Sequence, residues 1–130
     1  MTKLKTNPEF YKSLAHLFYA LVLADRHVEM VEKLAVHGLI RKEWSQESEG
    51  LDIEEIFYST LKKLFQGTYE KEDAFSVFKN FFLKNQSGFS MEVKRHIMDS
   101  ANKIVSSFSG INKSESIMIS RLYFLMNLSD

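Results

Sequence analysis

Cysteine is absent from the 130 residues, which excludes a disulfide framework, a zinc finger, a thiol nucleophile and an iron–sulfur cluster. Proline occurs once and glycine five times, too little turn material for a β-protein with many tight turns. The glycines, Gly38, Gly50, Gly67, Gly88 and Gly110, stand singly and far apart, so no glycine-rich phosphate loop opens any helix. Net charge is missing too: seventeen basic residues balance seventeen acidic ones. That balance argues against a general nucleic-acid binder, whose affinity comes mostly from phosphate neutralisation. Long hydrophobic runs are also lacking. The longest, Leu17 to Ala24, falls far short of the roughly 20 residues that cross a bilayer. Asn7, Pro8, Glu9 and Lys12 interrupt the apolar stretch that a signal peptide beginning at Lys3 and Lys5 needs. The expectation is a soluble cytoplasmic protein without a membrane span, any membrane association being peripheral.

What is present is a composition 45% hydrophobic, 13% aromatic and 26% charged, that of a globular chain. Its length suits one core, and no linker or low-complexity segment interrupts it, so residues 1–130 read as a single domain. Asn7 before Pro8 is a helix start, the amide side chain accepting an orphan N–H and proline occupying the first helical position. The helix continues through Phe10, Leu14, Leu17, Phe18 and Leu21, and is apolar all round from Leu17 to Ala24, the mark of a central helix. A second helix is expected from near Val28, with Val31, Leu34, Ala35 and Leu39 on one face, before a polar lapse over Ser45 to Gly50. Asp52 with Glu55 forms a capping box ahead of Ile53, Ile56, Phe57, Leu61, Leu64 and Phe65. Gly67 ends that third helix, with Thr68 as a candidate cap for a fourth bearing Ala74, Phe75, Phe78, Phe81 and Phe82. After a break at Asn85 to Gly88, Ser90 caps a fifth helix with Val93, Ile97, Ala101, Ile104, Val105 and Phe108 in a stripe. Gly110 closes it, and Asn112 with Glu115 opens a sixth, turning Ile119, Leu122 and Met126 inward. These periods persist for three or four turns, which favours an all-α bundle of about six helices over buried strands.

A weak internal repeat relates residues 16–40 to 99–123. Val28 aligns with Ile111, Glu32 with Glu115, Ala35 with Met118, Leu39 with Leu122, and Leu21-Val22 with Ile104-Val105. Each copy is a long apolar helix, a tight polar turn, one aliphatic residue and an acid in the next helix's first turn. Two such hairpins can pack about a pseudo-two-fold axis and bring their turns together.

The segment Leu21-Val22-Leu23-Ala24-Asp25-Arg26-His27-Val28-Glu29-Met30-Val31-Glu32 resembles the signature of the tellurite-resistance TerB-like family, and Phe108-Ser109-Gly110-Ile111-Asn112-Lys113-Ser114-Glu115 is similar to that family's other hairpin. Arg26-His27 occupies the turn where the family usually has a glycine, and Ser109 stands where its second copy offers an aspartate. The resemblance implies an all-helical domain serving bacterial stress-response and envelope-linked systems, a domain also attached to DnaJ-like co-chaperones. It further implies a divalent cation, such as calcium or magnesium, at Asp25, Glu32 and Glu115, with Glu29 near enough to stand in for the missing acid. Hard cations take several oxygen ligands, and carboxylates from two adjacent turns supply them. The competing reading is that Glu32 and Glu115 merely favour the positive end of a helix, worth about 0.3–1 kcal/mol each.

The remaining chemistry is sparse. His16, His27, His37 and His96 include no pair three or four residues apart, so no helical metal pair exists. His16 reads as a packed histidine with one nitrogen satisfied, and His27 alone lies beside the acidic turn. No G-x-S-x-G elbow is present. Lys62-Lys63 and Lys94-Arg95 read as solvated helix faces. Most of the aromatic surplus of the fourth helix, Phe75, Phe78, Phe81 and Phe82, is expected in the core; because Phe81-Phe82-Leu83 covers more than one helical face, the part left exposed is the expected partner interface, for another protein or a homodimer. The sequence-level reading is therefore a non-catalytic binding or scaffold module, with a small metal-dependent hydrolase using the same acids and His27 as the alternative.

Overall fold

The computed structural model describes residues 4–23, 30–44, 52–67, 69–106 and 113–127, without the side chains of residues 5, 23, 30–36 and 113–115. Six α-helices are present among them: α1 (Pro8–Leu23), α2 (Met30–Trp44), α3 (Ile53–Gln66), α4 (Lys71–Lys84), α5 (Met91–Ser106) and α6 (Lys113–Leu125). Short 3-10 turns at Leu4–Thr6 and Gln86–Gly88 precede α1 and α5, and no strand occurs among the described residues.

The expected punctuation is largely in place. Asn7 Oδ1 accepts the Glu9 N–H at 2.9 Å, Asp52 Oδ1 accepts that of Glu55 at 3.1 Å, and Ser90 Oγ accepts that of Val93 at 3.2 Å. Each bond satisfies a first-turn donor that the helix itself leaves unpaired. Gly67 ends α3 as expected, yet at φ −96°, without the left-handed backbone usual for a terminating glycine. Its N–H closes the helix by donating to the Lys63 and Leu64 carbonyls. α4 starts from Glu70, which caps it without a side-chain bond. Thr68, Gly110, Asn112, the expected start near Val28 and the polar lapse at 45–50 lie outside the described residues, as does Phe108.

α1 is the central helix. From Phe10 to Val22 every apolar side chain is buried, and α1 packs against α3, α4, α5 and α6. An all-round apolar helix must be covered on every side, and the amphipathic helices around it supply the cover. α3 brings Ile53, Phe57, Leu61 and Leu64; α5 brings Val93, Ile97, Met98, Ala101, Ile104 and Val105. α6 turns Met118, Leu122 and Met126 inward, with Ile119 partly buried. α2 closes the bundle against α3 and α5, through Ile40 and Trp44. α1 and α5, the first arms of the two hairpins read from the sequence, pack against each other. The turns that would relate those hairpins fall at 24–29 and 107–112, outside the described residues.

α4 corrects the expected partner interface. Phe75, Phe78 and Phe82 are buried and Phe81 is partly buried, so this aromatic face is core. The reason is α1, against which α4 packs, together with Phe89, which follows the Gln86–Gly88 turn and packs on Phe78, Phe81 and Phe82. Its ring lies 4.8 Å from Phe82, 6.1 Å from Phe81, 6.2 Å from Phe78 and 5.7 Å from Phe10 of α1. Edge-to-face packing at these distances favours burial beyond the area removed from water. Of Phe81-Phe82-Leu83, only Leu83 stays exposed.

Candidate functional site

The acidic turns read from the sequence fall where the structure is not described. Asp25, His27 and Glu29 lie outside the described residues; Glu32 and Glu115 sit on α2 and α6, without described side chains. Among the described residues, no group of three or more His, Asp or Glu side chains is placed to hold a metal ion. No helix among them is long and apolar enough to cross a membrane.

Large apolar side chains remain exposed singly on α3 (Tyr58), α4 (Leu83) and α5 (Met91), and as a group of three on α6. Phe124 is 74% exposed and Ile117 51%; these two lie seven residues apart, two helical turns along one stripe. Tyr123 joins them, and Ser116, Ser120 and Asn127 are also exposed. Arg121 is the sole charged residue between Ser116 and Asn127, and it is drawn back onto α4. Its guanidinium donates to Glu72 Oε2 at 2.9 Å and lies 4.4 Å from the centre of the Phe75 ring. That bond holds the Glu72 carboxyl below the usual carboxylate range. Among the described side chains, the outer face of α6 from Ser116 to Asn127 is thereby left without charge. The sequence did carry a signal: α6 is apolar on two faces, and only one can point inward.

A polar cluster joins α2 to α5, and sequence reasoning missed it. Trp44 is fully buried, with its indole Nε1–H donating to Ser100 Oγ at 3.0 Å. Beside it, Glu43 meets Lys103 Nζ at 2.9 Å and His96 Nε2 at 3.6 Å, and Lys103 also reaches Asp99 at 3.4 Å. The Glu43 and Asp99 carboxylates together hold the Lys103 ammonium above its ordinary range. Its chemistry is that of a clasp: the acid, base and hydroxyl are spent on one another and on Trp44. The lone tryptophan was the available signal, because a buried indole requires an acceptor.

Two surface grooves flank α3. The first, about 450 Å³, is lined by His37, Ile40, Arg41, Asp52, Glu54, Glu55, Phe57 and Tyr58. Arg41 bridges to Glu54 at 2.9 Å across it, while burial, and then the Arg41 charge, push the His37 imidazole below its usual range. Its charges are of both signs, and Arg41 is already spent on Glu54 across the opening.

The second groove, about 410 Å³, runs between α1 and α3 and is lined by Lys12, His16, Ser59, Thr60, Lys63, Leu64 and Tyr69. Lys12 and His16 are one turn apart on α1; Ser59 or Thr60 and Lys63 are one turn apart on α3. Packing of α1 on α3 brings the two pairs face to face. His16 is as expected in having one nitrogen satisfied, Nδ1 lying 2.8 Å from the Lys12 carbonyl, but it forms a groove wall rather than core. Its ring stands edge-on to Tyr69 with centroids 5.6 Å apart. Tyr69 is held in turn by the Tyr19 hydroxyl, which donates to its carbonyl at 2.8 Å. Burial, with Glu70 nearby, raises the pKa of that hydroxyl and keeps it a donor.

No family model matches the chain, and neither a curated protein nor a solved structure matches it.

Proposed function

We propose that this chain is a non-catalytic scaffold module that works by contact, with the apolar outer face of α6 from Ser116 to Asn127 as its contact surface and a second copy of the chain as the occupant. The observation that carries the reading is the exposure of Phe124 and Ile117 on a stripe from which Arg121 has been withdrawn. A two-fold interface is self-complementary, so residue i meets j and j meets i. Two α6 helices crossing antiparallel near Ser120 set Ile117 of each copy against Phe124 of the other, with the small serines at the centre. Over Ser116–Asn127, where Arg121 is paired with Glu72, the face meets its own copy without like-charge repulsion.

Two further features support a scaffold over a catalyst. The polar cluster that joins α2 to α5 is closed on itself, Glu43, Lys103 and Asp99 being spent on one another. The TerB-like resemblance of residues 21–32 and 108–115 points to a contact-making role in a bacterial stress-response or envelope-associated system. On the same reading, Asp25, Glu29, Glu32 and Glu115 bind a divalent cation such as calcium or magnesium between the hairpin turns, and the cation sets how the hairpins are held.

Sedimentation equilibrium over a rising protein concentration tests the contact. The wild type associates to a dimer, and Phe124→Asp stays monomeric with an unchanged helical circular-dichroism spectrum. A wild type that is monomeric at every concentration, or a dimer indifferent to Phe124→Asp, overturns the reading.

A further inference from the structure

Two lysines, a histidine, two aliphatic hydroxyls and a tyrosine line the α1–α3 groove, and no carboxylate is among its lining residues. In a chain whose overall charge is zero, that local excess of one sign is a property of the groove and not of the molecule. We propose that this groove binds a small phosphomonoester, the phosphate between Lys12, Lys63 and His16 and a ring-bearing body against Tyr69.

The chemistry follows from the atoms on the walls. The Lys12 carbonyl can only accept, so the His16 nitrogen 2.8 Å from it, Nδ1, carries the proton. Nε2 is left as an acceptor for a P–OH of the ligand. Lys12 and Lys63 supply cationic donors from opposite walls, the arrangement that a tetrahedral anion needs when it is approached from two sides. Ser59 Oγ spends its proton weakly on the Ile56 carbonyl, at 3.4 Å, and it and Thr60 line the α3 wall beside Lys63.

Lys12 is available for this role. Its pair with Glu9, at 3.5 Å, joins two side chains that are each at least half exposed, and such pairs hold their partners loosely. Glu70, next to Tyr69 in sequence, is not among the groove's lining residues. Tyr69 closes the groove with a ring anchored at its backbone by Tyr19 and braced at its edge by His16. A volume of about 410 Å³ matches small-molecule sites rather than a bare ion, so the ligand carries a body beyond its phosphate. Binding here is by side chains, and the missing glycine-rich loop is no obstacle to it.

Titration of the isotopically labelled full chain with ribose 5-phosphate and with adenosine 5′-monophosphate, followed by amide nuclear magnetic resonance, tests the site. Inorganic sulfate and adenosine serve as the anion-only and ring-only probes. The expected result is saturable shifts at Ser59, Thr60 and Tyr69 for at least one phosphomonoester, weakened about tenfold by Lys63→Gln and again by Lys12→Gln, as for loss of one charge-assisted hydrogen bond each. Both lysines are exposed, so these variants keep the fold, which their unchanged remaining spectra verify. No saturable shift up to roughly 10 mM, a ligand range equivalent to negligible affinity, overturns the proposal. So does equal binding of sulfate or of adenosine, or binding indifferent to both lysine substitutions. Dimerisation through α6 is read in a separate experiment, so failure of either proposal leaves the other standing.

Discussion

Trp44 of α2 lies flat against His96 of α5, ring centroids 3.9 Å apart and planes 10° from parallel, while the indole N–H reaches past it to Ser100 Oγ. One side chain thus makes two contacts with α5, one by its face and one by its edge. Ile40 is buried beside Trp44 on α2 and Leu39 packs against the core, and the clasp ties this end of the helix to α5.

Ser100→Ala removes the acceptor and leaves a buried indole donor unpaired. Equilibrium denaturation should show a loss of about 1–3 kcal/mol, the desolvation penalty of an orphaned polar group. Because Trp44 is the single tryptophan, its fluorescence follows the same transition. A loss below about 0.5 kcal/mol, the scale of an ordinary surface change, would mean that the bond contributes little.

The two phenylalanine sets separate core from contact surface. Phe78, wholly buried among Phe82 and Phe89, should cost about 3–5 kcal/mol when replaced by alanine. Phe124→Ala should stay within about 0.5 kcal/mol for the isolated monomer. Urea midpoints measured at a concentration where the protein is monomeric make the comparison.

His37 gives the acid side of the stability profile a defined contribution. Its pKa is lowered in the folded state by burial and then by Arg41, so between the folded and unfolded values the unfolded chain binds more protons. Stability contributed by neutral His37 is therefore present above the unfolded pKa, about 6.5, and is lost as pH falls through the folded value. Thermal melts from neutral pH downward should fall more steeply for the wild type than for His37→Gln. Glu72, lowered by its bond to Arg121, acts in the same direction further into acid: its contribution holds above the ordinary carboxylate pKa and disappears as the folded value is crossed.

Gly38 sits in the middle of α2 at an exposed position, and a Cβ there meets nothing within 4 Å. Gly38→Ala should raise stability by about 0.5–1 kcal/mol, because alanine loses less backbone entropy on entering a helix. A higher melting temperature with unchanged dimerisation is the expected outcome.

The proposed cation site predicts a calcium- or magnesium-dependent gain in melting temperature that Asp25→Asn removes. A ligand that binds only the folded state at a hundredfold excess over its Kd adds about 2.7 kcal/mol. A titration of chelator-treated protein without any gain leaves helix-end electrostatics as the role of these acids.

The order and punctuation of the helices were legible in the sequence because they depend on local physics. Asn7, Asp52 and Ser90 satisfy first-turn donors within three residues of themselves, and apolar residues at helical spacing mark the inward stripes of α3 and α5. The centrality of α1 was legible for the same reason, since a helix apolar on all sides has no face to give to water. What only the tertiary structure decided was which apolar surplus is covered. Phe75–Phe82 and Ile117–Phe124 present comparable excess in the sequence, and neither pattern says that α1 and Phe89 cover the first while Arg121 turns toward Glu72 and leaves the second exposed. The α1–α3 groove was hidden likewise: Lys12 and Lys63 are 51 positions apart and face one gap only because α1 packs on α3. Local pattern determines what each helix must hide; how much of it is hidden depends on which neighbours arrive, and that is a property of the packed chain.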